Sequence, residues 1–251
     1  MPSDLARFGL TEMLRCSLEV RRVATGARTM EEAATRVCRF FYDEFVGLEP
    51  GGGAMRQCAL VRCYKTHPFG ALDAGLQTFA RGLLGGAPER DDLRCLTLLA
   101  TVGDEPGWNS RLRSRGHRAI PLATASMIEQ APMIAQLLRQ FGLEPATLVA
   151  PSSGIVSALQ GKTYGVFHVE HALGSPYIPA QREFVVPYEV RSVVGFGGSL
   201  RSGDLFAVIL FARAQISKEV ADRFRSLALD VKTALFDFGE DEVFGAGERA
   251  G

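Results

Sequence analysis

The chain has 251 residues, 28 basic and 28 acidic side chains, a formal net charge of zero and 47% hydrophobic residues. That balance excludes a disordered chain and a protein that mainly coats nucleic acid with a basic surface, and the length suits one large domain or one medium domain with helical additions. No apolar run approaches the roughly 18–20 residues that span a bilayer, and the N-terminus mixes acidic and basic residues where a signal peptide has an apolar block, so a cytoplasmic protein without a membrane partner is expected.

Leu10, Met13, Leu14 and Leu18 recur at helical spacing and predict an amphipathic helix to about Val23, broken by Thr25 and Gly26. Thr29 followed by Glu32 reads as a capping box opening a second helix, which carries Ala33, Val37, Phe40, Phe41 and Phe45 on one side. Cys58–Tyr64 is β-branched and aromatic enough for a strand, and Leu72, Leu76, Phe79 and Leu83 suit a helix. Arg94–Val102 alternates as a half-buried strand, with Leu96, Leu98, Ala100 and Val102 on one face and Thr97 and Thr101 on the other. Pro132 starts a helix that Gly142 closes. Arg191–Ser199 and Leu205–Ala212 form an antiparallel hairpin, the second strand apolar on both faces and therefore central. Ile216, Val220, Phe224, Leu227, Val231, Leu235 and Phe238 make a long helical stripe with Ser217 as N-cap and Gly239 as stop; residues from Glu240 onward read as a polar, frayed tail. The order of elements predicts an α+β domain, an antiparallel sheet with packed helices and the first and last helices adjacent.

Few residues point to chemistry. Gly195-Phe-Gly-Gly198 lacks the third glycine of a dinucleotide loop, and Asp204 stands where a phosphate loop needs lysine, so these glycines read as a strand that another backbone or a ligand approaches closely. His168 and His171 could serve a metal or haem sensor, or be hydrogen-bonding histidines of a loop. The odd count of five cysteines (Cys16, Cys38, Cys58, Cys63, Cys95) suits reduced buried thiols, and Cys58 and Cys63 are expected on opposite faces of their strand. Arg111, Arg113, Arg115, His117 and Arg118 could hold a phosphate or an acidic partner, or form a solvated loop. No spacing singles out a catalytic set, so no enzyme is expected. Residues 161–184 combine Tyr164, Phe167, His168, Tyr177 and Ile178 with two prolines in a stretch that reads as irregular, either a pocket-forming loop or a plain cover for the sheet.

The strings LVRCYKTHPFGALD, CLTLLATVGDEPGWNSRLRSRGHRAIPL, YGVFHVEHALGSPYIPAQREFVVPYEVRSVVGFGG and SGDLFAVILFARAQISKEVADRFRSLALDVKTAL resemble the GAF-like sensory segment found N-terminal in bacterial histidine kinases and related signalling proteins. The resemblance runs from about Thr29 to Phe238. It implies a helical extension over 1–28, a GAF-like sensory domain over 29–239 and a polar tail over 240–251. It further implies an antiparallel sheet with a pocket on one face and an N-terminal and C-terminal helix pair on the other, the helices available for a homodimer. Neither the Asn-Lys-x-Asp-Glu motif of cyclic-nucleotide GAF domains nor the Cys-His pair of bilin-binding ones occurs. No kinase, cyclase or DNA-binding segment follows Phe238, which implies an excised module with a missing output domain or signalling in trans.

The expectation is therefore a non-catalytic sensory module with an unknown ligand held by Trp108, Tyr164, Phe167, His168, Tyr177, Ile178 and Phe196, and with a signalling protein as partner. The alternatives are a constitutive interaction module with a degenerate pocket and a metal or haem sensor on His168 and His171.

Overall fold

The structure, a computed structural model, describes residues 2–48, 52–140, 142 and 164–245. Its helices are α1 (Leu10–Ala24), α2 (Met30–Glu44), α3 (Ala74–Leu83), α4 (Ala125–Glu129), α5 (Pro132–Gln140) and α6 (Lys218–Ala234). Strands β1 (Val46–Leu48) and β2 (Ala54–Arg56) form a small hairpin. Strands β3 (Cys58–Pro68), β4 (Arg94–Gly103), β5 (Ala119–Pro121), β6 (Tyr164–Val169), β7 (Ser192–Ser199) and β8 (Leu205–Ala212) make one antiparallel sheet in the order β5-β4-β3-β8-β7-β6. The architecture is α+β.

β8 is buried at every position because the sheet is covered on both faces. On one face α1, α2 and α6 pack over Val61, Cys63, Ala100, Val102, Phe196, Val208 and Leu210. Phe8, Phe41, Phe45, Phe196 and Phe224 form a connected aromatic layer there, with Phe8 stacked on Phe224 at 5.1 Å and Phe41 edge-on to Phe196 at 5.6 Å. On the other face α5 and the segment between β6 and β7 cover Leu60, Tyr64, Leu98, Phe167, Val193, Ile209 and Phe211. A third cluster under α3, around Phe69, Leu72 and Leu76, seals the β5 edge.

Two bulges decide which residues share a face. In β4, Cys63 pairs with Ala100 but Tyr64 with Leu98, so Leu99 is an extra residue. Leu96 and Leu98 therefore face α5 while Leu99, Ala100 and Val102 face the helices, and the expected single face over Leu96–Val102 is corrected: a bulge reverses the alternation midway. In β3, Cys58 pairs with Ala212 and Leu60 with Phe211, leaving Ala59 extra. That shift puts Cys58 and Cys63 in the same core, correcting their expected opposition. All five cysteines are free and buried, and burial pushes the Cys58 and Cys63 thiols up to about 12.

Thr29 and Ser217 cap their helices as expected, but the Thr29–Glu32 box is not closed, because the Glu32 carboxylate accepts from the Arg28 amide. Thr29 accepts from the Glu32 amide, Asp73 from the Leu76 amide and Ser217 from the Val220 amide, each satisfying a donor at a helix start. α6 ends at Ala234, short of Gly239. In the hairpin, a side chain on Gly197 would collide with the Phe206 carbonyl, so the close neighbour that this glycine admits is the β8 backbone.

Three other expectations change. Residues 164–169 were expected to be irregular but form β6, because Gly165, Phe167 and Val169 alternate against Gly197, Gly195 and Val193 of β7. Residues 240–245 are docked, not frayed: Val243 is buried, and Phe244 sits edge-on to His67 at 5.3 Å and beneath the Arg111 guanidinium at 4.6 Å. α1 buries Met13, Cys16, Val20 and Ala24, so its leucine stripe Leu10, Leu14 and Leu18 faces outward at 62%, 55% and 71% exposure. α1 and α6 are adjacent, tied by Arg21 to the buried Asp230 at 2.7 Å.

The β7–β8 turn is anchored by a buried ionic knot. Asp204 accepts from Lys65 Nζ at 2.7 Å, Arg94 Nη1 at 2.5 Å and Ser202 Oγ at 2.8 Å, while Lys65 Nζ also donates to the Thr66 carbonyl at 2.9 Å and lies 3.2 Å from His67 Nδ1. Every partner is used, so the knot holds the hairpin against the ends of β3 and β4. Burial, and then the Lys65 charge, lower the His67 pKa to about 4. The unfolded chain, with a histidine pKa near 6.5, binds a proton over that interval that the folded chain refuses. Stability therefore falls as pH drops from about 6.5 to about 4, by on the order of 3 kcal/mol, and denaturant titrations of His67→Gln at several pH values will show that component of the slope removed.

Candidate functional site

The seven residues expected to hold a ligand do not all share one face of the sheet. Phe167, Tyr177, Ile178 and Trp108 lie on the α5 side of the sheet, whereas Phe196 and Tyr164 belong to the helix side. Alternation along β6 separates them: Phe167 points one way, Tyr164 and Val166 the other. Phe167 is fully buried and edge-on to Tyr177 at 6.3 Å. Tyr164 lies under Lys232 at 5.9 Å, which makes it part of the α6 packing. The two histidines diverge in their bonding. His168 Nε2 donates to the Ile216 carbonyl at 2.9 Å, while His171 Nδ1 lies 3.3 Å from Gln215 Nε2 at the surface. Among the described residues no group of three His, Cys, Asp or Glu side chains could hold a metal.

The basic run also divides. Arg111 is buried against Glu31, its Nε 2.8 Å from Oε1, while Arg113 and Arg115 are exposed. Arg111 thus joins α2 to the covering segment at Phe244; its charge is paired with Glu31, although its Nε and Nη1 make no hydrogen bond of good geometry.

A different polar set lies on the α5 side. Arg62 of β3 and Thr101 of β4 are register partners, so their side chains stand side by side on one face, with Ile209 of β8 opposite Arg62 on its other flank. Arg62 Nη1 donates to the Tyr64 hydroxyl at 3.2 Å and Nη2 to Ser114 Oγ at 3.3 Å. Its Nε is buried without a partner, and so is the hydroxyl of Thr101, a residue only 2% exposed. No carboxylate among the described residues pairs with this guanidinium. Gly103, two residues beyond Thr101, lies against the indole of Trp108, where a Cβ would come within 2.8 Å of the ring. Trp108 packs on Tyr188 at 4.5 Å and on Phe184 at 5.5 Å, and Phe184 meets Phe211 edge-on at 5.0 Å.

This is an unusual place for a cation. Arg62 is part-exposed, but its Nε is buried and its Nη groups bond only to neutral hydroxyls, so the guanidinium loses part of its hydration with no counter-charge beside it. Each buried unsatisfied donor costs about 1–3 kcal/mol more. Chemically the pair offers one positive charge and two free hydrogen-bond donors, bordered by an aromatic wall. It contains no nucleophile with an adjacent base.

Sequence reasoning missed both residues. Arg62 stood inside an apolar strand, a visible anomaly; Thr101 was assigned to the wrong face because the bulge at Leu99 has no signature in the alternation. No family model matches the chain, and neither does any curated protein.

Since the Thr101 hydroxyl has no partner, replacing it by an isosteric methyl removes a penalty without changing shape. Thr101→Val is expected to raise stability by about 1 kcal/mol, read as a higher denaturation midpoint with an unchanged denaturant slope.

Proposed function

We propose that this protein is a non-catalytic sensory module of GAF-like type that takes a small ligand on the α5 side of its sheet and presents the outcome on the helical layer opposite. The observation that carries the reading is the Arg62–Thr101 pair, which leaves two buried donors and a positive charge uncompensated beside an aromatic wall. Proteins retain such costs at sites that bind something. Alternate residues of one strand supply the route between faces: Arg62 faces the ligand side, and its neighbours Val61 and Cys63 pack in the helical core. A ligand shifts that layer only to the extent that it binds two arrangements unequally.

On the output side, the exposed stripe of Leu10, Leu14 and Leu18 on α1 is the surface we assign to a second copy of the chain or to a signalling partner. The tight seating of Phe167 against Tyr177 favours a second reading, a constitutive interaction module whose loop-covered face is simply packed.

The two are separated by protein purified directly from cells and extracted under denaturing conditions. The sensory reading expects a small molecule at near-stoichiometric yield by mass spectrometry. Returning that extract to stripped protein should then change the fluorescence of Trp108, the only tryptophan, and alter amide exchange in α1 and α6. No extractable molecule and no response in either signal would leave the constitutive module.

A further inference from the structure

Resting on that sensory reading, we infer that the ligand is an organic monocarboxylate with an apolar body, its carboxylate held by Arg62 Nε and the Thr101 hydroxyl. Three observations lead to this class. The first is charge: Arg62 contributes one positive charge that no described carboxylate neutralises, so a single negative charge completes the site. A phosphate monoester carries about −1.5 to −2 near pH 7 and would leave excess negative charge against an apolar face.

The second is donor geometry. Both Nη groups of Arg62 are engaged by neutral oxygens, Tyr64 Oη and Ser114 Oγ, which hold the guanidinium plane in place; the Nε edge is the unpartnered one. That edge offers a carboxylate two nearly parallel N–H bonds, from Nε and the remaining Nη2 hydrogen. The Thr101 hydroxyl, beside it across the strand pair, supplies a third donor to the same two oxygens. A neutral amide would bring its N–H donors toward a guanidinium that can only donate, and would offer one acceptor oxygen where a carboxylate offers two.

The third is the setting. Ile209 and Leu60 are register and near neighbours of Arg62 on the same face, and Trp108 closes the end at Gly103. Ile209 and Leu60 offer the rest of the ligand apolar contact, and Trp108 an aromatic face with a single indole N–H. Since both free donors are shielded from solvent, binding requires the cover to part, and slow association is a corollary.

The test uses unbranched carboxylates from butanoate to decanoate, with phenylacetate, each against its primary amide, and inorganic phosphate as control. Binding is followed by calorimetry and by Trp108 fluorescence on the full chain. At least one acid should bind saturably, at least tenfold tighter than its amide and than phosphate. Arg62→Met should weaken it at least tenfold and Arg62→Lys should recover part of that loss. Thr101→Val, whose fold is monitored independently by its denaturation midpoint, should weaken it several-fold. Equal affinity for acid and amide, preference for phosphate, or unchanged binding by a folded Arg62→Met overturns the carboxylate while leaving a sensory module in place. Absence of saturable binding by every acid also overturns it, and a neutral stoichiometric molecule in the cell extract would do so with the sensory reading intact.

Discussion

The extra residue at Leu99 in β4 is the constraint on which the arrangement of this protein depends. With strict alternation, the face that carries Leu96 and Leu98 would continue through Ala100 and Val102, and Thr101 would point into the aromatic layer beneath the helices. The bulge reverses this: Ala100 and Val102 fill the helical core, and Thr101 stands beside Arg62 on the opposite face. A bulge disturbs the local ladder and is tolerated where the new side-chain placement is useful. Here it places a buried hydroxyl next to an uncompensated guanidinium, in a sheet whose other central positions are apolar.

The remainder of the fold holds that face still. The Asp204 knot fastens the β7–β8 turn to the ends of β3 and β4, so the central strands cannot slide past one another without breaking several charge-assisted bonds. The phenylalanine layer joins α2, α6 and the segment before α1 to the sheet, and the docked Phe244 packs on His67 beside the knot. The buried polar groups of the Asp204 knot satisfy one another, whereas Arg62 Nε and Thr101 Oγ1 in the central strands, like Arg111 Nε and Nη1 and Arg118 Nε outside the strands, have no hydrogen-bond partner. The contrast distinguishes them: the buried lysine and aspartate bond to each other and their neighbours and need nothing further, whereas Arg62 and Thr101 retain donors with no acceptor.

Much of this was legible in the sequence. Capping at Thr29 and Ser217 follows local chemistry, which short-range spacing records. The central position of β8 was readable because a strand apolar on both faces has no other place to go. What escaped was long-range. Bulges at Ala59 and Leu99 are set by partner strands and leave the residue pattern looking regular, so Cys58, Thr101 and the two halves of β4 were given the wrong faces. β6 was hidden because its partner β7 lies beyond a long connection and its own glycine and histidine weaken the pattern. The amphipathic spacing of Leu10, Met13, Leu14 and Leu18 predicts the helix but does not say which face is covered; Met13, Cys16 and Val20 are buried and the leucines face outward. The candidate ligand set suffered the same way, since Phe167 and Phe196 are both aromatic but lie on opposite sides of the sheet.

Arg62 and Thr101 are assigned as a binding site and not as an uncompleted piece of packing. The most direct measurement is an experimental structure, at a resolution that resolves ordered water, of protein taken from cells without exchange of its bound contents. Non-protein density is expected within hydrogen-bond distance of both Arg62 Nε and Thr101 Oγ1, continuing toward Trp108. Finding both atoms bonded to groups of the chain itself, with nothing else beside them, would contradict the assignment.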